Sequence, residues 1–169
     1  MSEKTVIFTI GHSNHELKDV LKLLLDNSIN LLVDVRSSPY SKYVPHFNKD
    51  NFRSVLKLNR IDYAYLGNKI GGKPKNKKYY LDDKVNYDLY AQDPIYQGGI
   101  NELIKLSKDR NLTIMCSEEN PHKCHRHMLI TPSLLKEGIT VIHIRGDGKT
   151  EKIEKKEIKE IQTTLLLIQ

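Results

Sequence analysis

Cysteine is scarce in this chain, with two among 169 residues. Stability drawn from a disulfide scaffold is thereby excluded, and a thiol pair in a reducing compartment is more often catalytic, metal-binding or incidental. No apolar run reaches the length that crosses a bilayer, and the first residues lack the apolar stretch and small-residue cleavage site of a secretory signal. No membrane partner is expected, and the expected location is cytoplasmic. Two cofactor fingerprints are also missing. There is neither the phosphate-binding loop of nucleoside triphosphatases nor the three-glycine turn of dinucleotide binders, so no cofactor is expected.

What remains is the composition of a globular protein. Hydrophobic residues make up 38% and charged residues 28%, and the length suffices for one core without metal or disulfide support. A single domain over residues 1–169 is the simplest organisation. Lysine and arginine (27) exceed aspartate and glutamate (21), giving a formal charge of +6. That balance favours an anionic small molecule or nucleic acid as partner, although many small basic proteins bind neither. Nothing in the composition sets the oligomeric state.

Along the chain, apolar β-branched runs alternate with helical periodicities. Thr5 to Ile10 reads as a buried strand ended by Gly11. Ser13 and Glu16 then have the spacing of a capping box before Leu17, Val20, Leu21 and Leu24. Leu31 to Arg36 is a second strand carrying Asp34, and two strands joined by one helix lie parallel. An irregular segment from Ser37 to Phe47 leads to a short helix capped by Asn48 and burying Phe52, Val55 and Leu56, and Ile61 to Leu66 gives strand three. A helix holding Ile100, Leu103, Ile104 and Leu106 leads into a strand ending at Cys116. Pro132 must kink or split the helix after Arg126, Gly138 terminates it, and Ile139 to Ile144 is the fifth strand. A charged C-terminal helix is expected over residues 151–165, marked by Ile158, Ile161 and Leu165. The expected fold is three-layer and Rossmann-like: α/β, with a mainly parallel five-stranded sheet flanked by helices.

Residues 67–97 break the pattern. Gly67, Gly71, Gly72 and Pro74 loosen the backbone; Lys69, Lys73, Lys75, Lys77 and Lys78 add charge; Tyr79, Tyr80, Tyr87, Tyr90 and Tyr96 add rings. This segment reads as an insertion or lid. Its composition suits a single strand or an exposed nucleotide, since lysines neutralise phosphates and tyrosines stack on bases, and it equally suits a solvated loop.

The chemistry concentrates between Leu112 and Arg126, where a strand ends at Cys116 and Glu118, Cys124, His125 and Arg126 precede a helix. Ligands of open parallel sheets sit at the carboxyl ends of strands. Gly11, His12 and Ser13, Asp34, Arg36 and Ser37, Gly67, and Cys116 and Glu118 all occupy such ends, so a site can assemble there. These segments carry a resemblance. Thr9-Ile10-Gly11-His12-Ser13, Asp34-Val35-Arg36-Ser37-Ser38-Pro39 with Ser41, Tyr65-Leu66-Gly67 with Gly71-Gly72, and Cys116-Ser117-Glu118 with Cys124-His125-Arg126 resemble the DUF488 family over roughly residues 5 to 148. The family is a domain of unknown function; the resemblance implies a fold of this kind and a polar cluster at these positions, and no activity.

Each candidate has a bland alternative. Cys116 is a nucleophile, or a small buried hydrophobe. Glu118 is a general acid or base, or pairs with Arg126. Asp34, and His12 beside it, tune the reacting groups, or Asp34 fixes its loop through Ser37, Ser38 or Arg36. Arg36 and Arg126 are the expected anion clamps, with Ser13, Ser37, Ser41, His125 and Lys73 as further substrate-binding groups. Cys116, Cys124 and His125, with His12, form a thin set of metal ligands whose cysteine spacing matches no compact zinc motif, so no metal is assigned. The first functional expectation is an enzyme acting on a phosphate- or nucleobase-bearing substrate. The others are a non-catalytic nucleic-acid-binding or regulatory module and, more weakly, a thiol redox or metal sensor.

Overall fold

The structure, a computed structural model, describes residues 5–168. In chain order it contains β1 (Val6–Gly11), α1 (Leu17–Asp26), β2 (Leu31–Asp34), α2 (Lys49–Leu58), β3 (Asp62–Tyr65), α3 (Gly67–Ile70), β4 (Tyr80–Leu81), β5 (Lys84–Val85), α4 (Tyr87–Tyr90), α5 (Pro94–Leu106) and β6 (Leu112–Cys116). There follow α6 (Thr131–Lys136), β7 (Thr140–Ile144), β8 (Thr150–Ile153) and α7 (Glu157–Ile168).

The central sheet has the order β3-β2-β6-β1-β7-β8. Its first five strands run parallel, and β8 pairs antiparallel with β7 at the edge. The sheet therefore has six strands where five are expected. The sixth is Thr-Glu-Lys-Ile, which overlaps the start of the segment expected to be helical from residue 151; the helix begins only at Glu157. As an edge strand it buries Ile153 and leaves Thr150 and Lys152 exposed, so its sequence lacks the continuous apolar run of a central strand. On α7, Ile161 is buried and Ile158 half-buried; the side chain of Leu165 lies outside the described residues.

Alternation along each strand divides the core into two layers. Leu31, Val33, Leu112, Ile114 and Val141 face a cluster built with Ile70, Tyr96, Ile100, Leu103, Leu129 and Leu134, from α3, α5, α6 and the turn before α6. Leu32, Met115, Ile10 and Ile144 face Val20, Leu24, Phe47, Phe52 and Leu56, from α1, α2 and the turn between β2 and α2. This is a three-layer α/β sandwich.

The capping box does not form. Glu16 is the N-cap residue of α1 without a side-chain cap bond, while Ser13 adopts φ +43° and points its hydroxyl at Asn14. Asn48 precedes α2, but its side chain accepts from the Ser41 amide instead of capping. Pro132 splits its helix as the sequence requires: Arg126–Ile130 is one π-helical turn, and α6 starts at Thr131 with the proline in its first turn. Gly138 ends that helix at φ +80°.

Residues 67–97 form short docked elements. Tyr79, Tyr90 and Tyr96 are buried against one another and against the main core, with ring centroids 5.1 and 5.2 Å apart. Tyr80 and Tyr87 are half-buried and pack against the edge of the same core.

Candidate active site

A cavity of about 730 Å3 opens over the carboxyl ends of β2 and β6. Cys116, Cys124, His125, Ser117 and Glu118 line it from the β6 side; Arg36, Ser37 and Ser38 follow β2; Gly72, Lys73, Tyr80, Asp83, Lys84, Val85 and Tyr87 form the wall contributed by the insertion. Lys123 and Met128 complete the lining.

The loop after β6 is held from several directions. The amides of His12 and Ser13 donate to the carbonyls of Cys116 and Ser117, extending the β1–β6 ladder past the strand ends. Glu119 forms a bidentate pair with Arg145 at 3.0 Å and accepts from the Gly146 amide, which holds its carboxyl down at about 2. Asn120 caps the short turn Pro121–Lys123. Arg126 reaches back beneath the loop and donates to the carbonyls of Glu118 and Glu119. Gly11 makes this crossing feasible: a Cβ there would lie 1.8 Å from the Glu118 carbonyl oxygen.

At the cavity floor Cys116 donates to Glu118 Oε2 at 3.2 Å and stands 3.6 Å from His125 Nδ1. Cys124 Sγ lies 3.7 Å from the same nitrogen. The other ring nitrogen, Nε2, is 3.2 Å from the Val35 carbonyl, which requires it to carry the proton and leaves the Nδ1 lone pair facing both sulfurs. The insertion presses Gly72 against this ring, where a Cβ would come within 2.6 Å of it.

The two thiols are strongly inequivalent. Pairing with Cys116 lowers the pKa of Cys124 against the effect of burial, assisted by the Arg126 guanidinium 3.8 Å away. The same pairing, together with burial, raises Cys116. Arg126 is completely buried and, among the described residues, has no carboxylate in ion-pair contact. An uncompensated buried cation is costly, so a thiolate at Cys124 is its natural counter-charge. Burial, the largest single effect, raises the Glu118 pKa, but the bonds from Cys116, a backbone amide and Cys124, with the nearby His125, together outweigh it and leave the carboxyl below its ordinary range.

The other expected site residues lie elsewhere, and strand parity explains most of the division. Asp34, Arg36 and His12 alternate onto the face opposite Cys116. Arg36 pairs with Asp34 through Nη2 at 2.6 Å and Nε at 2.9 Å, and also donates to the Phe47 carbonyl. Tyr63 donates to the same carboxylate at 2.7 Å. His12 stacks on Phe47 and gives its Nδ1 proton to the Ser13 carbonyl; its Nε2 accepts from Arg36, and burial drives its pKa down to about 4. This cluster is sealed, with Asp34 fully buried and Arg36 only 3% exposed. Arg36 borders the cavity with its guanidinium already engaged, so it is not an open anion clamp. Nor is Arg126, whose guanidinium is enclosed beneath the loop. Asp34 and His12 make their bonds inside the cluster, and neither lines the cavity. Ser13 and Ser41 also fall outside it, the Ser41 hydroxyl accepting from the Tyr43 amide.

The cavity does gather Cys116, Glu118, His125, Ser37 and Lys73, with Cys124 beside them. Sequence reasoning missed Lys123, Ser117 and the separate roles of Tyr80 and Tyr87. Lys123 lies in the loop between Cys116 and Arg126, and its place between Pro121 and Cys124 is the available signal.

Comparison with known proteins agrees with the resemblance carried by these segments. No curated protein and no solved structure matches the chain. The model of the family described as "Domain of unknown function DUF488" matches residues 16–131, a span holding α1 through the π-helical turn and every thiol, imidazole and carboxylate at the cavity floor; the chain belongs to that family.

Proposed function

We propose that this protein is an enzyme acting on a phosphate- or nucleobase-bearing substrate bound in the cavity over Cys116. The observation that carries this reading is the position of the Cys116 thiol, between the Glu118 carboxylate and His125 Nδ1, on the floor of a cavity of ligand-binding size. Reactive groups with opposed shifts, gathered at strand ends in one cleft, are the usual mark of chemistry.

The lining supports the substrate class. Lys73, Lys84 and Lys123 against Asp83 give the rim a net positive charge that suits a phosphate. Tyr80 and Tyr87 supply ring faces for a base. With Tyr79, Tyr90 and Tyr96 committed to the core, the rings at the cavity suit a nucleotide-sized ligand better than a long strand. Glu118, exposed at one end and bonded to Cys116 at the other, is placed to exchange a proton with substrate.

The test is turnover of a panel of nucleosides, nucleotides and short oligonucleotides by the wild type and by Cys116→Ser and Glu118→Gln. An activity lost in both folded variants supports the reading. An activity unchanged in both removes it. Binding with a steep salt dependence, insensitive to Cys116→Ser and without turnover, would favour a non-catalytic nucleic-acid-binding module instead.

A further inference from the structure

We infer that Cys116, Cys124 and His125 bind one zinc-like divalent metal ion, with its fourth coordination position directed into the cavity. The inference deepens the reading of that cavity as a reaction centre: its functional meaning rests on that reading, while metal binding itself does not.

Three donor atoms of the right kinds converge. Sγ of Cys116, Sγ of Cys124 and Nδ1 of His125 all lie within 4.8 Å of one another. Zinc–sulfur and zinc–nitrogen bond lengths place the sulfur-to-nitrogen edge of a tetrahedron at about 3.6 Å. The observed separations are 3.6 and 3.7 Å. Two thiolates and an imidazole make a soft, three-ligand set of the kind that selects zinc over magnesium or calcium.

The surroundings are those of a ligating centre. His125 donates its remote Nε2 proton to the Val35 carbonyl at 3.2 Å, which fixes the ring and turns the Nδ1 lone pair toward the sulfurs. Arg126 Nη1, 3.8 Å from Cys124, favours the deprotonated sulfur that a metal requires. Two thiolates offset the charge of a dication, and beside them stand two opposite charges, the Arg126 guanidinium 3.8 Å from Cys124 and the Glu118 carboxylate 3.2 Å from Cys116. Gly72 and the β6 loop hold the imidazole and thiols before any ion arrives.

The centre is not closed. All three donors border the cavity, and Glu118 Oε2 stands 3.2 Å from Cys116 Sγ. A water in the fourth position would be acidified by the metal, and Glu118 is the neighbouring base that can accept its proton. The cysteine spacing gave no zinc motif because the donors meet through the strand-to-helix fold of the loop and not through a compact knuckle.

The test is direct titration of reduced, chelator-stripped full chain with Co2+ followed by Zn2+. The expected result is one cobalt per chain with sulfur-to-cobalt charge-transfer and tetrahedral absorption bands, displaced by zinc. Cys116→Ser and Cys124→Ser should each weaken binding by about a hundredfold or more and His125→Ala by about tenfold or more, with Lys73→Ala unchanged. Should the cysteine variants fail to fold, thermal unfolding of the stripped wild type decides: zinc must raise its midpoint where equimolar magnesium does not. A cobalt spectrum without charge-transfer bands, undiminished binding in Cys116→Ser, or no zinc-dependent rise in midpoint would overturn the inference. Turnover by fully metal-free chain would also overturn the metal's place at the centre while leaving the enzyme reading standing. Sulfur-ligated metal in a chain that turns over no nucleotide would support the metal site and count against the enzyme reading.

Discussion

His125 Nδ1 lies 3.6 Å from the Sγ of Cys116, a residue nine positions earlier on the end of β6. The intervening loop is pinned by Glu119 to Arg145 and by Arg126 to its own carbonyls, so the approach is built into the fold. The chemistry proposed here depends on that approach.

Gly72→Ala tests it without replacing a reacting group. The new methyl would meet three atoms of His125 at 2.6 to 2.8 Å, so the side chain or the insertion must move. Overpacking of this kind costs about 1–3 kcal/mol. Activity should fall well beyond what that loss of stability explains. Gly11→Ala should be worse for folding, since its methyl would lie 1.8 Å from a backbone oxygen that cannot rotate aside. Urea unfolding of the two variants checks the order.

The Asp34–Arg36 pair should be a stability element. Breaking a buried ion pair by removing one partner costs about 3–5 kcal/mol because the other charge is stranded. Asp34→Asn and Arg36→Met are therefore expected to lower unfolding free energy by that order. A loss under about 1 kcal/mol in either variant would show that the cluster is not the sealed one seen around Phe47.

Acid should destabilise the protein well before its carboxylates titrate. Burial is the first cause lowering the pKa of His12 and His127 to about 4 and of His143 to about 2, and Arg36 adds to it at His12. His127 Nδ1 meets His143 Nε2 at 2.9 Å, and His143 Nδ1 meets the Thr9 hydroxyl at 2.7 Å, with Arg126, Arg145, His122 and Glu151 also acting on this group. The unfolded chain takes up these protons near pH 6.5 and the folded one does not. Stability is therefore full above that pH and falls as pH drops toward 4, by about 1.4 kcal/mol per group per pH unit. Denaturant midpoints from pH 7 to 4 measure the slope, and His127→Gln should flatten it.

In metal-free protein one thiol should ionise below the ordinary cysteine range. Pairing with Cys116 and then the charge of Arg126 favour the thiolate at Cys124. Following thiolate ultraviolet absorbance against pH, Arg126→Met should move this titration upward. A titration at the ordinary value in both proteins would contradict the assignment.

Much of the fold was legible because its signals were local. Val6–Gly11 and Leu31–Asp34 are apolar runs buried in a parallel sheet, and Pro132 and Gly138 act through their own backbones. The edge strand Thr150–Ile153 was not, since one buried isoleucine among polar residues gives no strand pattern. The convergence of strand ends was readable; the face on which each side chain emerges was not. Asp34 and Cys116 both sit at strand ends, yet alternation sends them to opposite layers. Arg126 misled for a related reason, because one further step into the π-helical turn carries it away from the face of His125 and beneath the loop. The tyrosines of the insertion could not be divided between core and cavity until Tyr79, Tyr90 and Tyr96 were seen packed together.

The most direct measurement is the location of bound ligand by amide chemical-shift mapping, with nucleosides, nucleotides and short oligonucleotides titrated into labelled protein. The expected result is a saturable set of shifts at Ser37, Lys73, Ser117, Glu118 and Lys123, around the cavity over Cys116. Shifts confined to the α1 and α2 layer, or no shift with any member of the panel, would contradict a substrate site at the cavity.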